Sequence, residues 1–138
     1  MKRYILDTHV LIWFLEHNDR LPKDIREDIE YIQHEYYVSF LSLIEIDNLI
    51  KLEKIDLNIS LKEFVNQLEK SYIEVYYGNY NELETLDDLE MKIIGGKKHG
   101  DYIDRMIIAL SISRNYICIS ADKKFPHYRK NGLELIEI

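Results

Sequence analysis

Four acidic residues that lie far apart in the sequence fall where a predicted strand ends or a predicted helix begins. They are Asp7, Glu45, Asp104 and Asp122. In a parallel α/β sheet these positions gather along one edge, so carboxylates that are distant in sequence can meet in one crevice. Carboxylates packed together repel one another unless protons or cations neutralise them. The pattern therefore predicts a shared metal site.

The types of side chain indicate which ion this site would hold. Carboxylate oxygens without cysteine or paired histidine favour hard cations, Mg²⁺ or Mn²⁺, over zinc. None of the five histidines has the paired spacing of a zinc site. Metal ions bound to carboxylates can activate water and stabilise the attacking and leaving oxygens of a phosphodiester. The acids thus give phosphodiester hydrolysis a physical basis.

Each acid also has an ordinary structural interpretation. Asp7 could cap the helix that follows its strand, and Ser42 with Glu45 matches the S-x-x-E capping box. Asp104 would favour the positive end of its helix dipole, and Asp122 could be a turn residue. It is the joint occurrence of the four acids at one edge of the predicted sheet that favours a functional site.

The elements that would position these acids alternate along the chain. Apolar patterns of period two predict strands at residues 3–7, 35–39, 72–76, 116–120 and 133–138. Apolar patterns of helical period predict helices at residues 10–15, 25–32, 42–52, 57–69, 82–89 and 100–110, with a break at the two glycines 95–96. This alternation predicts an α/β fold with a mostly parallel sheet and helices on both faces. The length of 138 residues fits one domain, residues 1–138.

The charge of the chain is segregated. A net charge of −7 by itself argues against a nucleic-acid partner, because phosphate binding depends on Lys and Arg. Residues 97–130, here called the basic tract, nevertheless contain eight Lys or Arg residues and three acids. Such a cluster is commonly only a solvated surface. Beside a catalytic site it would bind phosphates, and Tyr102 and Tyr128 would then be the tyrosines placed to stack on RNA bases.

The single cysteine and the short apolar stretches bear on location. Cys118 lies in an apolar strand pattern, which is typical of a buried structural thiol, and it has no second cysteine to pair with. No apolar stretch approaches the roughly 20 residues that a membrane-spanning helix needs. Residues 1–3 run directly into a predicted strand, so we expect no secretory signal. These features predict a cytoplasmic protein without membrane association.

The order and local context of the acids resemble the PIN domain family, and within it the VapC-type ribonuclease toxins of type II toxin-antitoxin pairs. The matching segments are residues 4–13, 39–46 with Lys51, 99–109, and 119–122 with Phe125 and Tyr128. Any one segment is a weak signal, and the four in this order are a strong one. The resemblance implies a PIN-like three-layer sandwich and cleavage of RNA by a metal-dependent endoribonuclease, with water as the nucleophile. It also implies a homodimer and a small antitoxin partner.

The resemblance assigns roles to individual residues. It implies that Asp7, Glu45 and Asp104 form the acidic core that binds Mg²⁺ or Mn²⁺ and that Asp122 completes it. Four neighbouring residues are expected to support these acids and rank below them: Thr8, Asp101, Arg105 and Ser120. Among them, Arg105 is expected to form a structural ion pair, and Asp101 could instead be only the N-cap of its helix.

Two other classes of function stay open from the sequence. A Mg²⁺-dependent phosphotransfer enzyme or phosphatase also places an aspartate after its first strand, but the haloacid dehalogenase type needs a second aspartate where this chain has His9. A catalytically silent PIN-like module that binds RNA or a protein would keep the fold without the reaction. The presence of all four acids favours an active enzyme over this module.

Overall fold

The computed structural model describes residues 1–138 and contains a main sheet of five parallel strands. Their order is β3-β2-β1-β6-β7, and they are β1 (Arg3–Leu6), β2 (Glu35–Ser39), β3 (Ile73–Tyr76), β6 (Ile117–Ser120) and β7 (Leu135–Glu137). All four pairings in this sheet are parallel. A separate antiparallel hairpin is formed by β4 (Ile93–Ile94) and β5 (Lys97–Lys98).

Six α-helices connect the strands. They are α1 (Thr8–Glu16), α2 (Lys23–Glu30), α3 (Phe40–Lys51), α4 (Leu61–Lys70), α5 (Tyr80–Asp88) and α6 (Tyr102–Arg114). A 3-10 helix, Phe125–Asn131, precedes β7. None of these helices combines the length and the apolar composition that crossing a bilayer would demand.

The sheet separates two apolar clusters, one on each face. Because successive side chains of a strand point to opposite faces, Tyr4 and Leu6 of β1 join the cluster under α1 to α4, whereas Ile5 joins the cluster under α6 and the 3-10 helix. Helices therefore cover both faces of a parallel sheet. The predicted α/β three-layer sandwich is confirmed.

The strand order creates a switch point beside β1. From β1 the chain moves to one side for β2 and β3, and it returns to the other side for β6 and β7. At such a point the connections leave the strand ends in opposite directions, so a crevice opens beyond the carboxyl ends of β1 and β6. Asp7 directly follows β1, and Asp122 lies two residues beyond the end of β6.

Several local details differ from the sequence prediction. Helix α3 begins at Phe40, and its N-cap is Ser39, whose hydroxyl accepts a hydrogen bond from the amide of Leu41 at 3.2 Å. Ser42 therefore lies inside the helix, and the predicted capping box with Glu45 is wrong. The two glycines 95–96 do more than break the pattern, since φ angles of +60° and +79° let them form the tight turn of the β4–β5 hairpin.

Candidate active site

Asp7 lies at the switch point and is held from two strands. Its carboxylate accepts a hydrogen bond from the amide of Thr8 at 2.7 Å, which caps α1. It also accepts one from the hydroxyl of Ser120, the last residue of β6, at 2.7 Å. Burial raises the pKa of the Asp7 carboxyl, and these two hydrogen bonds act in the opposite direction. The predicted helix cap and the predicted site residue are thus the same side chain.

Glu45 reaches the same region from α3. The sequence predicted Glu45 in the first turn of α3. The residue lies in the second turn, because the helix begins at Phe40. Burial raises the pKa of Glu45, the Thr8 hydroxyl lowers it, and the negative charges of Asp101 and Asp7 raise it further. The hydroxyls of Thr8 and Ser42 lie 2.9 Å apart and form a hydrogen bond, which links the start of α1 to α3. Thr8 therefore ties the elements that carry Asp7 and Glu45.

Asp104 lies in the first turn of α6, as predicted. The N-cap of this helix is Asp101, whose carboxylate accepts hydrogen bonds from the amides of Ile103 and Asp104 at 3.0 Å each. The side chain of Asp101 is thereby committed to the backbone. The Asp104 carboxylate accepts no hydrogen bond from a backbone amide, and its side chain is 16% exposed.

The pKa of Asp104 depends on the charges of the other acids. Burial is the largest cause that raises its pKa to about 8, and the other causes are negative charges on four residues: Asp101, Asp7, Asp122 and Glu45. Charges act at this strength only over short distances. The four predicted site residues and Asp101 therefore share one local field at the carboxyl edge of the sheet.

Asp122 closes the site beyond β6. Its amide donates to the hydroxyl of Ser120 at 3.0 Å, so Ser120 touches both Asp122 and Asp7. The Asp122 carboxylate accepts a hydrogen bond from the amide of Lys124 at 2.8 Å, and the Lys124 ammonium lies 3.8 Å away. The sequence suggested two roles for Asp122, a turn residue and a neighbour of the other acids, and the structure is consistent with both.

Sequence reasoning missed a buried histidine at this site. His99 follows β5, is 4% exposed, and places its Nε2 atom 3.1 Å from Oδ2 of Asp104. Its Nδ1 atom lies 2.8 Å from the hydroxyl of Tyr128. Tyr128 is fully buried, so its expected role in stacking on RNA is wrong, whereas Tyr102 is 66% exposed. His99 begins one of the segments that resemble the PIN family, residues 99–109, and this position was the signal in the sequence that could have identified it.

Arg105 does not form the expected ion pair. Its guanidinium donates to the carbonyl oxygens of Leu89 at 2.9 Å and Glu90 at 3.2 Å. These oxygens lie just after α5, so Arg105 fixes the end of α5 to α6. With 7% of its surface exposed, the arginine serves the fold beneath the site.

The acids fit a divalent cation in charge. Burial raises the pKa of Asp7, Glu45 and Asp104, so a bound cation would relieve an unfavourable concentration of negative charge. Carboxylate oxygens are also the ligands that Mg²⁺ and Mn²⁺ prefer. In this structure no group of three or more His, Cys, Asp or Glu side chains is placed as a closed ligand set for a metal ion.

Exposed lysines of the basic tract flank the acids. Lys124 is close enough for its charge to lower the pKa of His99, although burial is the larger cause. Lys97 and Lys98 are exposed in β5, directly before His99, and Lys123 is exposed beside Lys124. These four lysines are therefore available to phosphates.

Comparisons with known proteins agree with this architecture. The sequence model of the family described as PIN domain matches residues 4–131. No curated protein sequence matches the chain. A solved structure, VapBC2 from Rickettsia felis bound to a DNA fragment from their promoter, superposes with a TM-score of 0.66 at 17% sequence identity. The superposition covers 98% of this chain and 98% of that chain, so the likeness extends over the whole fold.

Proposed function

Because the chain belongs to the PIN domain family, we propose that it is a metal-dependent endoribonuclease that hydrolyses RNA phosphodiester bonds. The observation that carries this proposal is the contact of Ser120 with both Asp7 and Asp122 at the carboxyl edge of the sheet. Burial and four neighbouring acids also raise the pKa of Asp104 to about 8. Such a site is built to receive positive charge. We assign the binding of Mg²⁺ or Mn²⁺, and with it catalysis, to four residues: Asp7, Glu45, Asp104 and Asp122.

The side chains around these acids have distinct tasks in the proposed reaction. When bound, the cation supplies activation of water and stabilisation of charge on the phosphate. Ser120 and Thr8 hold the Asp7 carboxylate in one orientation. The exposed Lys123 and Lys124 would bind the phosphates of the RNA on either side of the bond that is cut.

We further propose that the chain is the toxin of a toxin-antitoxin pair in the cytoplasm and that it acts as a homodimer. The similar structure from Rickettsia felis, VapBC2, supports this proposal through its fold. An apolar groove of about 880 Å³ between α3, α4 and β3 offers a surface for the antitoxin. It includes the partly exposed Ile44, Leu61 and Val65. A groove of this kind suits the apolar face of a partner helix.

A cleavage assay tests the nuclease proposal. Purified protein is incubated with total transfer and ribosomal RNA in Mn²⁺, in Mg²⁺ and in excess chelator, and the new RNA ends are sequenced. We expect defined internal cuts in either metal and none in chelator. Hydrolysis of small phosphoesters without RNA cleavage would instead support the phosphotransfer alternative.

The same assay addresses the silent module. The lack of a closed ligand set is the observation that favours this alternative. Binding of RNA without any cut at saturating Mn²⁺ would support it and would contradict the nuclease proposal.

The antitoxin surface needs a separate experiment. The chain is co-expressed with the product of a neighbouring short open reading frame, and the complex is purified through a tag on that product. Val65→Asp places a charge in the groove and should abolish co-purification, whereas Leu83→Asp on α5, also at an exposed apolar residue, should not. Equal recovery of both variants would show that the groove is not the antitoxin surface.

A further inference from the structure

We propose that His99 is a positioning residue that orients the Asp104 carboxylate and that Tyr128 in turn orients His99. This inference rests on the proposed function, because Asp104 is one of its metal ligands. The Nε2 atom of His99 lies 3.1 Å from Oδ2 of Asp104, and its Nδ1 atom lies 2.8 Å from the Tyr128 hydroxyl. Both ring nitrogens are therefore engaged.

Hydrogen-bond chemistry fixes the direction of this chain. When a bound cation keeps Asp104 ionised, its carboxylate can only accept, so Nε2 of a neutral His99 must carry the hydrogen that points to Asp104. Nδ1 then has a lone pair and accepts from the Tyr128 hydroxyl. The phenol thus selects the tautomer that serves the carboxylate.

The chain is anchored in the core of the protein. Tyr128 is fully buried in the 3-10 helix and belongs to the apolar cluster under α6. The Nζ atom of Lys92 lies 5.1 Å from the centre of its ring, and the carbonyl oxygen of Lys92 accepts a hydrogen bond from the His99 amide at 2.8 Å. Backbone and side chain together hold the imidazole in place.

Orientation matters at Asp104 because little else holds this carboxylate. Asp7 receives hydrogen bonds from Thr8 and Ser120, whereas the hydrogen-bond partner of the Asp104 carboxylate is His99. Groups that hold the ligands of a metal contribute about 10- to 100-fold in affinity. We expect His99 to contribute on this scale.

A purely architectural role is the competing explanation, since His99 also joins β5 to the 3-10 helix. Two amide substitutions separate the roles. The side chain of His99→Asn ends near the position of Nδ1 and can still bond Tyr128, but it does not reach Asp104. The longer side chain of His99→Gln ends near the position of Nε2 and can still donate to Asp104.

The experiment is a calorimetric titration of Mn²⁺ into the full chain, with thermal melts in chelator for every variant. We expect His99→Asn to weaken Mn²⁺ binding by about 10- to 100-fold and His99→Gln to stay within about threefold of the wild type, because only Gln keeps the bond to Asp104. An architectural role predicts equal losses in the two variants, or the larger loss in His99→Gln. Either result, or wild-type binding by both, overturns the inference.

Tyr128→Phe provides a second test that leaves His99 intact. Removing only the hydroxyl frees the imidazole to rotate, so Mn²⁺ affinity should fall in the wild-type background and should not fall further when Tyr128→Phe is added to His99→Gln. Equal losses in both backgrounds would contradict the chain from Tyr128 through His99 to Asp104.

The wild type and Asp104→Asn separate failure of this inference from failure of the proposed function. If the wild type does not bind Mn²⁺, or if Asp104→Asn binds it unchanged, the assigned metal site itself is wrong. If Asp104→Asn loses binding while His99→Asn keeps it, the site stands and only the role of His99 is refuted.

Discussion

The hydroxyl of Ser120 and the carboxylate of Asp7 are joined by a 2.7 Å hydrogen bond, although the two residues are 113 positions apart in the sequence. They meet because β6 and β1 are neighbouring parallel strands that end at the same edge. Burial raises the pKa of the Asp7 carboxyl, and this bond lowers it. The pairing of two strands thus places a hydroxyl that favours the charged form of a site residue.

Ser120→Ala should raise the pKa of Asp7 and weaken the site most strongly at low pH. A hydrogen bond to a charged group contributes about 1.5 to 3 kcal/mol, so we expect cleavage near neutral pH to fall by roughly tenfold or more. The acid limb of the pH–rate profile should move to higher pH. Rates measured from pH 5 to 9 in Mn²⁺ test this prediction.

Ser111→Ala is the matched control for that substitution. The Ser111 hydroxyl is also buried, but it donates to the carbonyl oxygen of Ile107 within α6, at 2.8 Å. Its loss should leave the pH–rate profile in place. If Ser111→Ala and Ser120→Ala shift the profile equally, the bond to Asp7 is not the cause.

Asp104→Asn should abolish activity and stabilise the metal-free protein. The amide keeps the size of the side chain and removes the charge, so metal binding is lost while the repulsion from the other acids is relieved. We expect cleavage to fall by more than about 100-fold, since even the partners of metal ligands are worth about 10- to 100-fold. Cleavage rates and thermal melts in chelator at pH 8 measure the two effects. Asp87→Asn, at an exposed position on α5, should change neither.

The stability of the metal-free protein should fall as the pH rises towards 8. The folded-state pKa of Asp104, about 8, lies above the ordinary value of 3.8 for an aspartate, so in that interval the folded protein binds more protons than the unfolded chain. The pKa of His99 is lowered, and this acts in the opposite direction as the pH rises towards 6.5. The effect of Asp104 is therefore clearest from pH 6.5 to 8, where it amounts to at most about 2 kcal/mol.

Denaturant melts of the wild type and Asp104→Asn in chelator test this pH dependence. The difference in unfolding free energy between the two proteins should widen in favour of the variant as the pH rises to 8 and should then level off. Saturating Mg²⁺ should remove most of that difference, because the cation stabilises only the folded protein. A difference that is constant with pH would contradict the raised pKa.

The sequence predicted the parts of the fold that local patterns determine. β2 has its predicted bounds, residues 35–39. The prediction succeeded because the residues alternate in the sequence as they do in burial, with Tyr36 and Val38 buried and Glu35 and Tyr37 partly exposed. Asp7 was placed correctly because it follows three buried apolar residues of β1 and is a good N-cap for α1. The start of α3 was missed because Ser39 and Ser42 are both good caps, and the end of β2 decides between them.

The contacts of His99 and Arg105 depend on tertiary structure that no local pattern contains. His99 reaches Asp104 and Tyr128 only once the β4–β5 hairpin has folded and the 3-10 helix has packed under α6. Arg105 has an acidic neighbour in the sequence, yet it bonds to the carbonyl oxygens that α5 leaves free at its end. In both cases the bonding partners lie in other elements of the fold, and the sequence pattern did not show that these elements would be neighbours.

Asp101→Asn should separate helix capping from catalysis. Asn is as good an N-cap as Asp, so α6 should keep the hydrogen bonds to the amides of Ile103 and Asp104. Removing the charge should also lower the pKa of Asp104. We expect cleavage within a few-fold of the wild type and a melting temperature that does not fall. A loss as large as that of Asp104→Asn would make Asp101 a metal ligand.

Reversal of Lys123 and Lys124 to Glu should weaken RNA binding and reduce its dependence on salt. Each phosphate contact contributes close to one unit of slope in a plot of log affinity against log salt concentration, so losing two contacts should lower the slope by about 2. Binding is measured with Asp7→Asn as the background, so that the RNA stays intact.

The control for this reversal is the same charge change on α4. Lys62 and Lys70 are exposed there, under the opposite face of the sheet from α6, and reversing them to Glu gives the same net charge. If total charge governed binding, both double variants would lose the same affinity and slope. If the lysines beside Asp122 contact the phosphates, only the first variant should lose slope, because counterions are released where lysine meets RNA and not elsewhere on the surface.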